Sequence, residues 1–174
     1  IIIDAKSGVS GAGRAVKQEM LFAEISEGIH AYGIGEHRHG PEIDQELSTA
    51  AGKPVVANFT PHLVPMNRGI LSTVYVKLSG GATTSDLRKT LVEQYENEPC
   101  VHVVPENVSP STRHVRGSNQ CLIGIFEDRI PGRAILVSVI DNMVKGAAGQ
   151  AIQNFNLMFG LPETTGLKQL PLFP

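Results

Sequence analysis

The stretch Arg68-Gly69-Ile70-Leu71-Ser72-Thr73-Val74-Tyr75-Val76-Lys77-Leu78 decides the fold class. Ile70, Ser72, Val74, Val76 and Leu78 fall on one side of an extended chain, the period-two pattern of a half-buried strand. Ser79-Gly80-Gly81 then closes it with turn residues. Downstream, Thr84-Ser85-Asp86 caps a helix whose Leu87, Leu91, Val92 and Tyr95 follow helical spacing and which ends near Pro99. Strands return at residues 101–104, 120–127 and 134–140, and a helix follows over about 144–159. Upstream, residues 54–60 are a strand candidate. Gly40-Pro41-Glu42-Ile43 opens a helix that runs to about Ala51, with Pro in the first turn and Gly52 past the end. Residues 1–6 read as a strand entering the glycine-rich loop Ser7 to Arg14, residues 21–32 show no clear period, and Pro171-Leu172-Phe173-Pro174 reads as an extended tail. Consecutive strands with helices between some of them predict an α+β fold: a mixed, largely antiparallel sheet with helices packed on one face. The second face is then solvated or paired with another copy.

The 174 residues suit one domain with a real core. At 41% hydrophobic and 18% charged residues the composition is that of a globular fold, and no apolar run approaches the roughly 20 residues of a membrane span. A net charge of −2 and a pI near 6.3 give no broad cationic field, which argues against nucleic acid as a partner and leaves only local anion pockets. Cys100 and Cys121 stand apart in apolar stretches and read as packing residues of a reducing compartment, not as a disulfide or an activated thiolate. The apolar start Ile1-Ile2-Ile3-Asp4, without an initiator Met, is expected to be part of a longer polypeptide.

Four clusters could carry chemistry. Val144-Lys145-Gly146-Ala147-Ala148-Gly149-Gln150, led in by Asp141-Asn142, puts small residues and one lysine at a helix mouth, where unpaired N–H groups attract a phosphate or a polar cofactor edge. Ordinary glycine-rich helix packing would produce the same pattern. In an extended segment before the Pro41 helix, His37 and His39 would share a side and Arg38 face the other way. The positive helix end would keep such a histidine neutral, as a general base must be. The alternatives are a solvated loop, or a metal site joined by His62 and His30, for which no acidic or thiol ligand falls at ordinary spacing. Pro61-His62-Leu63-Val64-Pro65-Met66-Asn67-Arg68-Gly69 reads as a rigid connection delivering Arg68, whose fork suits a carboxylate or phosphate, or a buried structural ion pair. Ser7 to Arg14 adds hydroxyls, open N–H groups and a second guanidinium.

In this order and spacing, Asp4 to Arg14, Tyr32 with His37-Arg38-His39-x-Pro41-Glu42-Ile43, Pro61 to Gly69, and Asp141-Asn142-x-Val144-Lys145-Gly146-Ala147-Ala148-Gly149-Gln150-Ala151-x-Gln153-Asn154 resemble the N-acetyl-gamma-glutamyl-phosphate reductase family. The resemblance covers residues 1 to about 167. It implies a second domain similar to the glyceraldehyde-3-phosphate dehydrogenase C-terminal domain. Residues 1–140 would form the substrate-binding and dimerisation domain. Residues 141–174 would form a closing helix and tail that pack back on an N-terminal dinucleotide-binding domain. It also implies NADPH-dependent reduction of N-acetyl-glutamyl 5-phosphate to the 5-semialdehyde in arginine biosynthesis, through a cysteine in a Gly-Cys-type turn that these residues lack. The chain alone is therefore expected to be inactive.

By the same resemblance, His37 and His39 are the catalytic acid/base candidates. Ser7, Gly8, Arg14 and Arg68 would grip the substrate's anionic ends, and Asn142, Lys145 and Gly146 would meet NADP. The implied assembly is a homodimer or homotetramer without metal, nucleic acid or membrane, in the cytoplasm or, in a eukaryote, an organelle. A sister aspartate semialdehyde dehydrogenase and a stand-alone oligomerisation or phosphate-binding module are the competing expectations.

Overall fold

The computed structural model describes residues 1–173, so Pro174 of the expected tail lies outside them. Seven strands form one mixed sheet: β1 (Ile2–Gly8), β2 (His30–Ala31), β3 (Asn58–Val64), β4 (Ile70–Lys77), β5 (Val101–Val103), β6 (Cys121–Glu127) and β7 (Arg133–Ile140). Their spatial order is β2-β3-β1-β4-β7-β6-β5. The β1–β3 and β5–β6 pairs are parallel and the other four antiparallel, so the sheet is mixed and largely antiparallel. The principal helices are α2 (Gly40–Ala51), α3 (Thr84–Tyr95) and α4 (Gly149–Met158); a single turn, α1 (Phe22–Ile25), precedes β2.

Paired residues point to the same side of a sheet, so the register defines its faces. Ile3 pairs with Phe59 and Val74, Val74 with Leu136, and Leu136 with Ile125. This is the helix-bearing face. Leu87 of α3 shares a cleft with Val76 and Leu136, and His37, just before α2, sets its ring 5.2 Å from that of Phe59. On the opposite face lie Lys6, paired with His62 and Leu71, and Thr73, paired with Val137. Polar and apolar side chains alternate there in a half-exposed surface, where Asp4 sits 2.7 Å from Lys6 and 3.1 Å from His62.

Helix ends follow the sequence rules closely. Thr83, one residue earlier than expected, caps α3 by accepting from the Asp86 N–H, while Asp86 accepts from the Thr83 N–H. Gly52 closes α2 in the left-handed conformation.

Two segments depart from expectation. The strand placed at 54–60 lies at Asn58–Val64, so Pro61 and His62 belong to a strand and not to a connection. Pro61 is tolerated inside the sheet because its carbonyl, and hence its missing N–H, faces the β2 side: Tyr32 N–H donates to that carbonyl at 3.1 Å, and β2 pairs only with His62 and Leu63. The loop expected from Ser7 is in fact strand to Gly8 followed by a 3-10 turn, Val9–Ala12.

The last helix begins as a wide turn, Val144–Ala148, with five-residue hydrogen bonds from Gly146 N–H to the Asp141 carbonyl and from Ala148 N–H to that of Met143. Gly149 then seats α4 against the sheet loop. A Cβ there would lie 2.4 Å from Asn119 Oδ1 and 2.7 Å from both the Val144 carbonyl oxygen and Val144 Cγ1. Gly149→Ala, which in a free helix would be favourable, is predicted to cost about 3 kcal/mol by overpacking. Urea unfolding measures this, and an unchanged or raised midpoint would contradict the packing.

Candidate functional site

At the end of the sheet where β1 and β7 finish and β4 begins, three sequence-distant segments are tied together. Asn142, buried with 5% exposure, accepts the Gly69 N–H on Oδ1 at 2.7 Å and donates from Nδ2 to Ser10 Oγ at 2.9 Å. Gly8 N–H donates to the Gly69 carbonyl and Val9 N–H to that of Met66. Only glycine fits at position 8, because a Cβ would stand 2.9 Å from the Met66 carbonyl oxygen.

Asp141, with no exposed surface, is the charge at the centre. Its Oδ1 accepts from Met143 N–H (2.8 Å), Val144 N–H (3.1 Å) and Arg68 Nη1 (3.2 Å), and its Oδ2 from Gly117 N–H (2.7 Å). Sequence reasoning passed over Asp141 as a mere lead-in. The signal available was a carboxylate placed immediately before a helix start, where such a group pairs with N–H donors.

Ser7, Gly8, Arg68, Asn142, Lys145 and Gly146 thus share one end of the sheet, but three expectations about them change. The helix mouth is not an open anion cradle, because Asp141 already takes the Met143 and Val144 N–H groups and backbone carbonyls take those of Gly146 and Ala148. The Ser7 loop likewise spends the N–H groups of Gly8, Val9 and Ser10 on the Gly69, Met66 and Asn67 carbonyls and that of Gly13 on the Ser10 carbonyl. Arg68 is engaged by Asp141, although its side chain stays 40% exposed and keeps donors facing solvent. Arg14 is exposed on the outer loop and is not held to this cluster by any hydrogen bond or ion pair among the described residues.

Lys145 is different. Its ammonium donates at 2.7 Å to the amide oxygen of Gln153, and it makes no ion pair among the described residues.

The histidines form a second locus. Their segment is a pair of turns and not extended, yet it still brings the His37 and His39 rings to 4.9 Å, with Tyr32 at 5.4 Å from His37. His39 N–H donates to His37 Nδ1 at 3.2 Å. Burial holds the His37 pKa below its ordinary 6.5, and the charges of His39 and Arg38 push the same way. The direction matches the sequence expectation, but desolvation is the leading cause. The His37 ring borders an open cleft of about 640 Å³ with Arg38, Asp44 and Phe59. Phe59 and Leu63 are four positions apart on β3, so the two loci are separated by about 13 Å along that strand. His62 lies on the opposite sheet face from Phe59 and does not converge with His37.

Cys100 is buried, and burial raises the Cys121 thiol above its usual range, despite Lys145 and a 3.5 Å contact to Ser138; neither resembles an activated nucleophile.

A family model described as semialdehyde dehydrogenase, dimerisation domain, matches residues 1–142. Among curated relatives, the N-acetyl-gamma-glutamyl-phosphate reductase of Rhodospirillum rubrum is 63% identical over 174 residues, 100% of this chain and 49% of the relative. A probable chloroplastic N-acetyl-gamma-glutamyl-phosphate reductase of Arabidopsis thaliana is 59% identical over 100% of this chain and 43% of its own length. The chain spans about half the length of the curated relatives it matches. Among solved structures, aspartate semialdehyde dehydrogenase II from Vibrio cholerae aligns with a TM-score of 0.68 at 19% identity, over 91% of this chain and 55% of the other. At that identity the likeness is one of fold, and it agrees with the α+β architecture.

Two outcomes test this geometry. Asp141→Asn turns one acceptor into an NH2 group facing an existing donor and removes the charge opposite Arg68, which should cost about 3 kcal/mol in urea unfolding. A loss below about 1 kcal/mol, the worth of an exposed ion pair, would contradict it. By NMR, His37 should titrate below 6.5. Its protonation opposes folding, so its contribution to stability is lost as pH falls from about 6.5 through the lower folded value; a midpoint at or above 6.5 would contradict the burial.

Proposed function

Since the chain belongs to the semialdehyde dehydrogenase dimerisation-domain family, we propose that it works as the C-terminal half of an N-acetyl-gamma-glutamyl-phosphate reductase. That enzyme would reduce N-acetyl-glutamyl 5-phosphate with NADPH to the 5-semialdehyde and phosphate, in arginine biosynthesis. The observation that carries this reading is the match over the whole of this chain, at 63% identity, to about half of a reductase of that name. Residues 1–140 would supply substrate contacts and the subunit interface, the latter on the sheet face opposite the helices. The closing helix and tail, residues 141–174, would pack on an N-terminal nucleotide-binding half. Exposed Phe155, Met158 and Phe159 support that, as apolar surface a partner would cover.

In this reading the anionic substrate is met by cations and hydroxyls at the sheet end. Arg68 keeps donors free beyond Asp141, with Ser7 and Gly8 beside it, and Arg14 would reach the substrate from the exposed outer loop. His37 and His39 would exchange protons with the reacting groups: a half-buried, largely neutral imidazole at pH 7 accepts a proton, and its neighbour 4.9 Å away offers a second carrier. The roughly 13 Å between the loci requires substrate, or the nucleophile from the other half, to bridge them.

The residues present fit an anionic group of NADP chemically. Lys145 is a cation without a carboxylate partner among the described residues, next to the exposed small side of Gly146-Ala147-Ala148, while Asn142, its amide bonded to Gly69 and Ser10, would hold that turn in place. When bound, the cofactor supplies the hydride. The protein would be a homo-oligomer, dimer or tetramer, of the cytoplasm or an organelle interior.

The test joins this chain to the N-terminal half of the Rhodospirillum rubrum relative and assays phosphate- and NADP-dependent oxidation of N-acetylglutamate 5-semialdehyde. Activity is expected in the joined protein and not in the chain alone; preference for aspartate semialdehyde, or activity of the chain by itself, would overturn the reading. In the active protein, His37→Gln or His39→Gln should lower kcat roughly 100-fold, the scale of acid/base catalysis, with KM changed much less.

A further inference from the structure

Resting on that reading, we infer that Gln153 is a positioning residue: it holds Lys145 as an oriented but un-neutralised cation, reserved for a phosphate group of the ligand. Gln153 is 6% exposed on α4. Its amide oxygen accepts twice, from Lys145 Nζ at 2.7 Å and from Asn119 Nδ2 at 2.8 Å, while its Nε2 donates to the Glu163 carboxylate. The order is therefore ammonium, amide, carboxylate, with the neutral amide inserted between the opposite charges.

That order has a chemical consequence. A carboxylate in direct contact with Lys145 would pair with it and leave little field for a ligand. An amide oxygen takes one N–H and fixes the direction of the side chain but contributes no charge, so two N–H donors and the full positive charge remain. Glu163 stays one amide away and aligns Gln153 with its oxygen toward the lysine.

Asn119 fixes the same oxygen from the other side. Its Nδ2 also reaches Cys100 Sγ at 3.6 Å, and its Oδ1 lies against Gly149, so the acceptor is set by buried packing and not by solvent. An ammonium at an exposed small-residue turn recognises an anion as a point charge, and in the proposed reaction phosphate is the anion offered. Two sources offer it: the transferred phosphate, as inorganic phosphate in the oxidative direction, and a phosphate of NADP.

The experiment moves the carboxylate by one residue at constant net charge. In the joined full-length protein, Gln153→Glu with Glu163→Gln preserves the side-chain hydrogen-bond chain but places an anion directly on Lys145. Expected is a rise of about tenfold in KM for inorganic phosphate, or for NADP, with kcat within about twofold, since one charged contact is worth about that factor; which KM moves identifies the source. Lys145→Met should give the same rise, and adding the exchange to it should change KM by less than about twofold.

A purely structural Gln153 would shift both backgrounds equally and overturn the proposal, as would unchanged KM values in the exchange. If the exchange does not fold, Gln153→Met replaces it. It must raise the same KM as Lys145→Met and be non-additive with it.

A second readout does not need activity. Acetylation of Lys145, followed by mass spectrometry, should be slowed by inorganic phosphate or NADP in the parent protein and not in the exchanged one. Equal protection in both, or none in either, overturns the proposal. An inactive joined protein that still shows this difference would overturn the functional reading alone.

Discussion

A carboxylate with no exposed surface has to be paid for by its neighbours, and around Asp141 they do so completely. Four donors from three places in the sequence, Arg68, Gly117 and the Met143-Val144 turn, converge on its two oxygens. In a low-dielectric setting an unmatched charge costs several kcal/mol, so these segments are held together or the charge is not buried at all. The adjoining Asn142 extends the same constraint to Gly69 and to the Ser10 loop through neutral hydrogen bonds. The end of the sheet is organised by one dipeptide.

The site follows from this constraint. Because Asp141 fills the helix start with an internal anion, the Met143 and Val144 N–H groups are already taken, and in the proposed function recognition rests on side chains. Arg68 is anchored by one nitrogen and left partly exposed, and Lys145 is directed by Gln153 without being neutralised. The histidine locus is built on different physics. The His37 ring packs edge-on against Tyr32, Phe59 and His39, and burial keeps the His37 proton affinity low. The sheet positions both loci, with β3 as the rigid spacer between them.

Strand and helix patterns were legible where one side of an element is buried. The alternation from Ile70 onward and the closing Gly52 of α2 translate into structure, and the cap of α3 falls one residue earlier than read, at Thr83. Misplacement came at Pro61, because proline signals a break unless its missing N–H falls on a side with no partner, and that depends on how short β2 is. The residues at positions 7, 8, 68, 142, 145 and 146, singled out through the family resemblance, stand at one end of the sheet, while Arg14 lies on the exposed outer loop. What each one bonds to could not be read. The wide turn at Val144–Ala148 arises from Asp141 and from the approach of Asn119 to Gly149, contacts between residues far apart in the chain. Gln153 entered the sequence reading only as part of the family motif, with no role attached; its burial among Lys145, Asn119 and Glu163 became visible only in the fold.

Native-state amide hydrogen exchange tests the central claim most directly, read at Gly69, Gly117, Met143 and Val144. If the Asp141-Asn142 pair ties the segments into one unit, these four amides open together with a common free energy. Separate openings, with Met143 and Val144 exchanging at unprotected rates while Gly69 and Gly117 stay closed, would contradict it.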